Sequence, residues 1–264
     1  MLSLYRKDFP SSRHELAQAL DKALHRFVPK GGSVVDVRAR VFPYLDEIVM
    51  NFDGTRFDSS PPIPSPPVDQ TKPALEAALV TLSARNVSIR GLPLNLRMEA
   101  HDVVLHKGMD TNGEAMLLWH TARDGQLAIS LGQVELEKAI AQIAAREAGR
   151  HGIVLEQVRL AIRARGPRSL ALDLHLQARK FLLRARIDIS GQIDIDESFA
   201  TKILLKCKSD GAIGSLACNA LNPVFERLKN KSFSFASLPF GEIQVRDVRL
   251  AVANTVELTA DFGS

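Results

Sequence analysis

Aromatic side chains are few in this chain of 264 residues: 12 Phe, 2 Tyr and 1 Trp. A core must therefore be built from Leu, Ile, Val and Ala. Cysteine is scarcer still. Cys207 and Cys218 cannot make a disulfide framework or fill a four-ligand metal site, and such sparing use favours a reducing compartment. Read singly, Cys207 on an apolar strand face and Cys218 on a helix are small core residues. Long hydrophobic runs are also missing. Arg6, Lys7 and Asp8 follow the start with no apolar segment before them, which argues against a secretory signal. The uncharged stretch from Gly211 to Phe225 is too short and too polar to span a bilayer. The expected location is cytoplasmic or peripheral on a membrane. Glycine has no period, and 45% hydrophobic with 24% charged residues excludes collagen-like and wholly disordered chains.

A strong charge of one sign is absent as well. The formal net charge is +4, but residues 156–208 hold eleven Lys or Arg against six Asp or Glu, a surplus larger than that of the whole chain. Stacking on nucleic acid needs aromatics interleaved with basic residues. Between 156 and 208 only Phe181 and Phe199 are aromatic, so no nucleic acid partner is expected.

What is present is alternation. Ser12 and Glu15 have capping-box spacing, and Leu16, Leu20, Ala23, Leu24 and Phe27 then predict a helix over 12–28. Val35, Val37, Ala39 and Val41 alternate with charges, and Ile48, Met50 and Phe52 follow, giving a hairpin over 33–42 and 46–57. Residues 59–73 carry six prolines and read as a stiff surface loop. Residues 74–82 fit either a strand or a helix. From Leu92 to Leu105 the period is two, with a slip between Ala100 and Val103 that marks a bulge. Strands at 116–121 and 126–130 precede a helix over 133–149. Four strands between 153 and 208 then show the cleanest alternation in the chain. A third helix over 211–229 has the stripe Ile213, Leu216, Ala217, Ala220, Val224 and Leu228, with Pro223 expected to kink or divide it. A β hairpin over 243–262 ends the pattern. The sum is α+β, with long antiparallel strands and three amphipathic helices, in one domain over 1–264.

Chemistry-bearing patterns do not assemble. Walker, Gly-x-Gly-x-x-Gly and Gly-x-Ser-x-Gly motifs are missing. His101 and His106 are five apart on a strand and face opposite sides, so they are poor joint ligands. Asp194, Asp196 and Glu197 read as a solvated turn. The sequence therefore predicts no enzyme, no metal site and no cofactor.

Gly191-Gln192-Ile193-Asp194-Ile195-Asp196, a basic strand, Asp210-Gly211 and the helix Ile213–Leu228 precede Phe233-Ser234-Phe235-Ala236-Ser237-Leu238-Pro239-Phe240-Gly241 and a closing hairpin. With Leu131-Gly132-Gln133-Val134 opening a helix and Arg90-Gly91-Leu92-Pro93-Leu94 on an earlier strand, this order resembles the bacterial LmeA-type phospholipid-binding domains. These are relatives of the tubular lipid-binding (TULIP-like) proteins. The resemblance implies a long, highly twisted antiparallel sheet wrapped around amphipathic helices, with an elongated apolar groove for acyl chains and no catalytic residues.

The expected function is non-enzymatic binding, carriage or sensing of a phospholipid or other acyl-chain lipid. Acyl chains would lie against Val158, Leu160, Ile162, Leu172, Leu174, Leu176, Ile187 and Ile189, and against Leu216, Ala220, Val224 and Leu228. Arg159, Arg163, Arg184, Arg186, Lys202, Lys206 and Lys208 would form an outer face drawn to anionic membranes. The alternative is a closed-core interaction module that holds a protein partner through the Pro-rich loop or the basic face.

Overall fold

Period-two stretches become strand, and among the described residues strand far outweighs helix, an α+β composition. The computed structural model describes residues 1–28, 34–57, 70–89, 91–150, 152–180, 183–229, 234–235 and 241–264, with backbone alone at helix positions 147, 212, 213, 217, 220, 224 and 228. The strands are β1 (Leu2–Ser3), β2 (Val35–Arg38), β3 (Tyr44–Asn51), β4 (Arg56–Phe57), β5 (Lys72–Ile89), β6 (Leu92–Met109), β7 (Ala115–Thr121) and β8 (Asp124–Gly132), then β9 (Val154–Gly166), β10 (Ser169–Lys180), β11 (Leu183–Ile195), β12 (Thr201–Ser209), β13 (Gln244–Val252) and β14 (Thr255–Gly263). The helices are α1 (Arg13–Leu24), α2 (Gln133–Gly149) and α3 (Gly211–Lys229).

The chain gathers into two compact units. The first comprises Met1–Ser130, Leu238–Asp247 and Thr259–Ser264; the second comprises Leu131–Ser237 and Val248–Leu258. The physical reason is that there are two sheets, and an apolar sheet face must be buried against layers of its own.

In the first unit, the Ser12 hydroxyl accepts the Glu15 amide at 3.3 Å and opens α1. The Glu15 carboxylate accepts the amide of Ser11 at 3.0 Å, one residue earlier than the usual box. Leu16, Ala19, Leu20 and Ala23 bury one face of the helix, which stops at Leu24, short of the expected 28. It packs into a cluster with Val35, Val37, Ile48, Leu75, Val80 and Leu105. β5 settles the ambiguity over 74–82 in favour of strand, because its 18 residues ladder along the 18 of β6 and tertiary pairing overrides the helical propensity of its alanines. Pro73 lies within β5; residues 59–69, with the other five prolines of the expected loop, lie outside the described residues.

Antiparallel pairing throughout was the expectation, but β3 and β4 run parallel to β5. A parallel neighbour needs a crossover of a dozen or more residues, and the chain between β3 and β5 has that length. The expected slip in β6 is also found. Asp102 has φ +47, and at this point the outer edge of β6 passes from β8, paired along 95–101, to β7, paired along 104–109.

The second unit holds a four-stranded antiparallel sheet ordered β12-β11-β10-β9. α2 lies on β9, and α3 lies on β11 and β12. The unpaired edge of β9 is covered in part by a side chain, since the Glu137 carboxylate of α2 accepts the Leu160 amide at 2.7 Å. α3 is one helix through Pro223, so the expected division there does not occur.

The two cysteines, read singly as small core residues, do pack against the core but as one joined pair. Cys207 on β12 and Cys218 on α3 form a disulfide, with Cα atoms 5.7 Å apart. A strand and a helix joined by one short turn brought them together, which strand period and helix period could not reveal separately. Closing a loop of this length is worth about 2–3 kcal/mol in the chain-entropy picture. Reduction with dithiothreitol is expected to lower the unfolding free energy by that amount, read from urea melts of the oxidised and reduced protein. An unchanged midpoint after complete reduction would show that the bond does not hold α3 to the sheet.

Candidate functional site

The four-stranded sheet carries every expected membrane-facing residue and eight of the twelve expected to bind lipid; Leu216, Ala220, Val224 and Leu228 are on α3. Alternation gives the sheet one aliphatic and one charged face, and the aliphatic face includes a packed zone and, beside it, a half-buried row.

In the first zone Leu174, Leu176, Ala178, Ile187 and Ile189 are buried, packed by Val158, Leu160 and Leu155 of β9, Ile140 of α2, and Cys218, Leu221 and Phe225 of α3. This zone is closed. The α3 face that closes it is Gly214, Cys218, Leu221 and Phe225, at helical spacing. Leu216 is 64% exposed, because two positions from Cys218 along a helix is the opposite side. Leu216 therefore stands outside the face that packs on this zone. The side chains of Ala220, Val224 and Leu228 lie outside the described set.

The second zone is a single row across all four strands. Ile162 of β9 is opposite Leu172 of β10, Leu172 is opposite Gly191 of β11, and Gly191 is opposite Leu205 of β12. Ile162, Leu172 and Leu205 are half-buried. Gly191 is needed here: a Cβ at this position would lie 2.7 Å from Leu172 and 2.8 Å from Leu205, whose side chains close over the glycine backbone. The missing side chain at the centre of the row is thus filled by its two leucine neighbours.

On the other face Arg159, Arg163, Arg184, Arg186, Lys202, Lys206 and Lys208 are all exposed. Arg159, His175, Asp188 and Lys208 form one cross-strand row, in which His175 Nδ1 meets the Asp188 carboxylate at 2.6 Å. Arg163 pairs with Asp173, and Arg184 lies 3.6 Å from Glu156. Exposed pairs of this kind contribute at most about 1 kcal/mol each. Among the described residues Arg186, Lys206 and Lys208 have no ion-pair partner. Gln157, Arg159, His175, Arg186 and Asp188 line an open depression of about 520 Å³ on this face.

The acidic run at 194–197 is a knitted turn. Asp196 accepts the Ser198 hydroxyl at 2.6 Å and the Ser198 and Ala200 amides at 3.0 Å, and Lys202 lies at 3.3 Å. The Ser198 hydroxyl and the Ala200 amide, with Lys202 beside them, hold the Asp196 carboxyl down to about 2. At Asp194 burial pushes the carboxyl up, but hydrogen bonds from Gln192 and Ser169, with Arg165 and Lys202 nearby, outweigh it and leave it below its ordinary value.

The histidines separate as their spacing requires. In the first unit His101 meets Asp124 at 2.7 Å, while buried His106 stacks on His120 with ring centroids 3.7 Å apart. Burial and His120 lower the His106 pKa, against the opposing pull of Glu242. The stack was not foreseen, because it depends on the pairing of β6 with β7. Among the described residues no group of three or more His, Cys, Asp or Glu is placed to hold a metal ion. No described helix is long and apolar enough to cross a membrane.

No family model, no curated protein and no solved structure matches this chain.

The Asp196 turn carries a pH dependence. Its folded pKa lies below the ordinary 3.8, so its contribution is complete above about pH 4 and is lost as pH falls through about 2. A carboxyl carbon titration by NMR should give a midpoint near 2 for Asp196, moving together with the amide shifts of Ser198 and Ala200. A midpoint near 4 would show a carboxylate free in solvent.

Proposed function

We propose that the protein binds a phospholipid or other acyl-chain lipid without acting on it chemically, as a carrier or sensor. The observation that carries this reading is the half-buried aliphatic row Ile162, Leu172, Gly191 and Leu205, which crosses the whole sheet beside the zone packed by the helices. Each methylene withdrawn from water against such a row is worth about 0.8 kcal/mol, so part of one acyl tail supplies useful affinity. The resemblance to the LmeA-type and TULIP-like lipid-binding domains supports the same reading. In that reading the row is part of an elongated apolar groove under a twisted sheet.

The exposed cations on the opposite face suit an anionic membrane surface, where each Lys or Arg is worth about 1 kcal/mol. Their role is recruitment, with the tail held elsewhere. The Cys207–Cys218 disulfide favours an oxidising compartment, in contrast to the cytoplasmic location expected from the sequence.

One observation favours the second reading, a closed-core module that binds a protein partner. Leu174, Leu176, Ile187 and Ile189, four of the positions expected to touch lipid, are buried under α2 and α3. For the same reason Leu174→Glu is a poor test, since a carboxylate in that cluster would unfold the unit whatever it binds.

The discriminating experiment is native mass spectrometry of the full chain, before and after incubation with liposomes, with extraction and identification of any lipid. A stoichiometric adduct is expected, with Ile162→Gln and Leu205→Gln reducing it severalfold at nearly unchanged thermal midpoint. A bare protein mass that takes up nothing from liposomes would sink the lipid reading and leave the closed-core module.

A further inference from the structure

A depression lies in the first unit, on residues that the lipid reading does not use. Lys72 of β5 and Lys107 of β6 stand directly opposite one another in the antiparallel ladder. Like charges in that relation are destabilising, because their Cβ atoms are about 5 Å apart on one face. The charged face of the four-stranded sheet shows the usual remedy, with His175 beside Asp188 and Arg163 beside Asp173. At Lys72 and Lys107 that remedy is missing: neither has an ion-pair partner among the described residues, and Lys107 Nζ instead lies 5.6 Å from the centroid of the Phe9 ring.

A third lysine joins them. The chain after β1 is laid along the start of β7 by bonds between Leu4 N and Ala115 O at 2.8 Å and between Ala115 N and Arg6 O at 2.6 Å, and Lys7, Asp8 and Phe9 follow. Lys7, Lys72 and Lys107 line one depression of about 520 Å³, together with Asp8, Gln70, Gly108 and the apolar Phe9, Met109 and Ala115. Three cations stand against one carboxylate, and all four are exposed. The volume is that of an ordinary small-ligand site.

We infer that this depression binds a phosphate group carried on an organic skeleton. The phosphate would lie among the ammonium groups of Lys7, Lys72 and Lys107, and the skeleton against Phe9 and Met109. A dianion there removes the repulsion across the ladder, which gives the sheet a reason to tolerate two facing lysines. Asp8 works against the anion and limits its charge. The phosphate could be that of a soluble phosphomonoester or of a lipid headgroup, and the chemistry at the lysines is the same for both. The inference is independent of the acyl row in the second unit.

The test uses the full chain at low ionic strength with two probes: inorganic phosphate, and phosphatidylcholine vesicles with and without phosphatidic acid. Phosphate should shift the amide resonances of Lys107, Gly108 and Met109 and raise the thermal midpoint. Lys72→Gln and Lys107→Gln should each weaken binding about tenfold, the loss of one charge-assisted bond. Asp8→Asn should tighten it. With no ligand present, Lys72→Gln should keep or raise the midpoint, because it relieves the facing charges. Capture by phosphatidic acid vesicles alone, lost in both lysine variants, would support the site and identify a lipid headgroup as its source. Absence of any response to either probe would overturn the inference, as would unchanged binding in both variants. A lower ligand-free midpoint in Lys72→Gln would also overturn it, because the lysine would then be structural. The response to inorganic phosphate and the ligand-free midpoint of Lys72→Gln do not depend on whether the protein retains an acyl-chain lipid.

Discussion

Strand side chains alternate strictly, so a buried face commits a whole strand to one register, and most of this protein follows from that constraint. In the four-stranded sheet a slip of one residue would turn Leu174 and Leu176 to solvent and bring His175 and Gln177 inward. The correct register does three things together. It stacks Leu176 beside Val158 and Ile187, sets His175 between Arg159 and Asp188, and brings Gly191 to the point where Leu172 and Leu205 meet. Both faces of the proposed lipid-binding unit are thus consequences of one alignment.

How far this was legible depended on how local the signal was. α2 begins and ends where the helical period of Leu136, Ile140 and Ile143 and the glycine at 149 place it. The strands of the second unit fall where alternation puts them, and the slip between Ala100 and Val103 matches a real irregularity at Asp102. Features that need a distant partner were hidden. The helix-like stretch 74–82 became strand only because β6 lies beside it, and β3 runs parallel to β5 although each reads simply as a strand. Which side of α3 packs on the sheet was not readable, because the helix has apolar residues on more than one side and the disulfide at Cys218 selects among them. The facing lysines at 72 and 107 are 35 positions apart, and only the ladder shows that they meet.

The aliphatic face also shows why a pattern of inward residues is a weak guide to binding. Eight sheet positions were candidates on the same period-two grounds, yet the helices divide them into a packed zone and a half-buried row. Packed residues contribute stability, and only those with unsatisfied apolar surface can gain from a ligand. Coverage is a property of neighbouring elements, so it cannot be read from a strand alone.

The division of the chain has a bearing on how the molecule is made. The first unit opens with residue 1 but takes its last segment from residues 259–264, while the second unit is drawn entirely from positions between. A ribosome releases the chain from one end, and domains generally fold as units while synthesis proceeds. The second unit has all of its residues by position 258, whereas the first still lacks its segment Thr259–Ser264 at that point. Until then the long strands β5 and β6 hold their pairing without the edge that β14 supplies to β8. Birth order and completion order are therefore reversed: the half that is begun first is finished last.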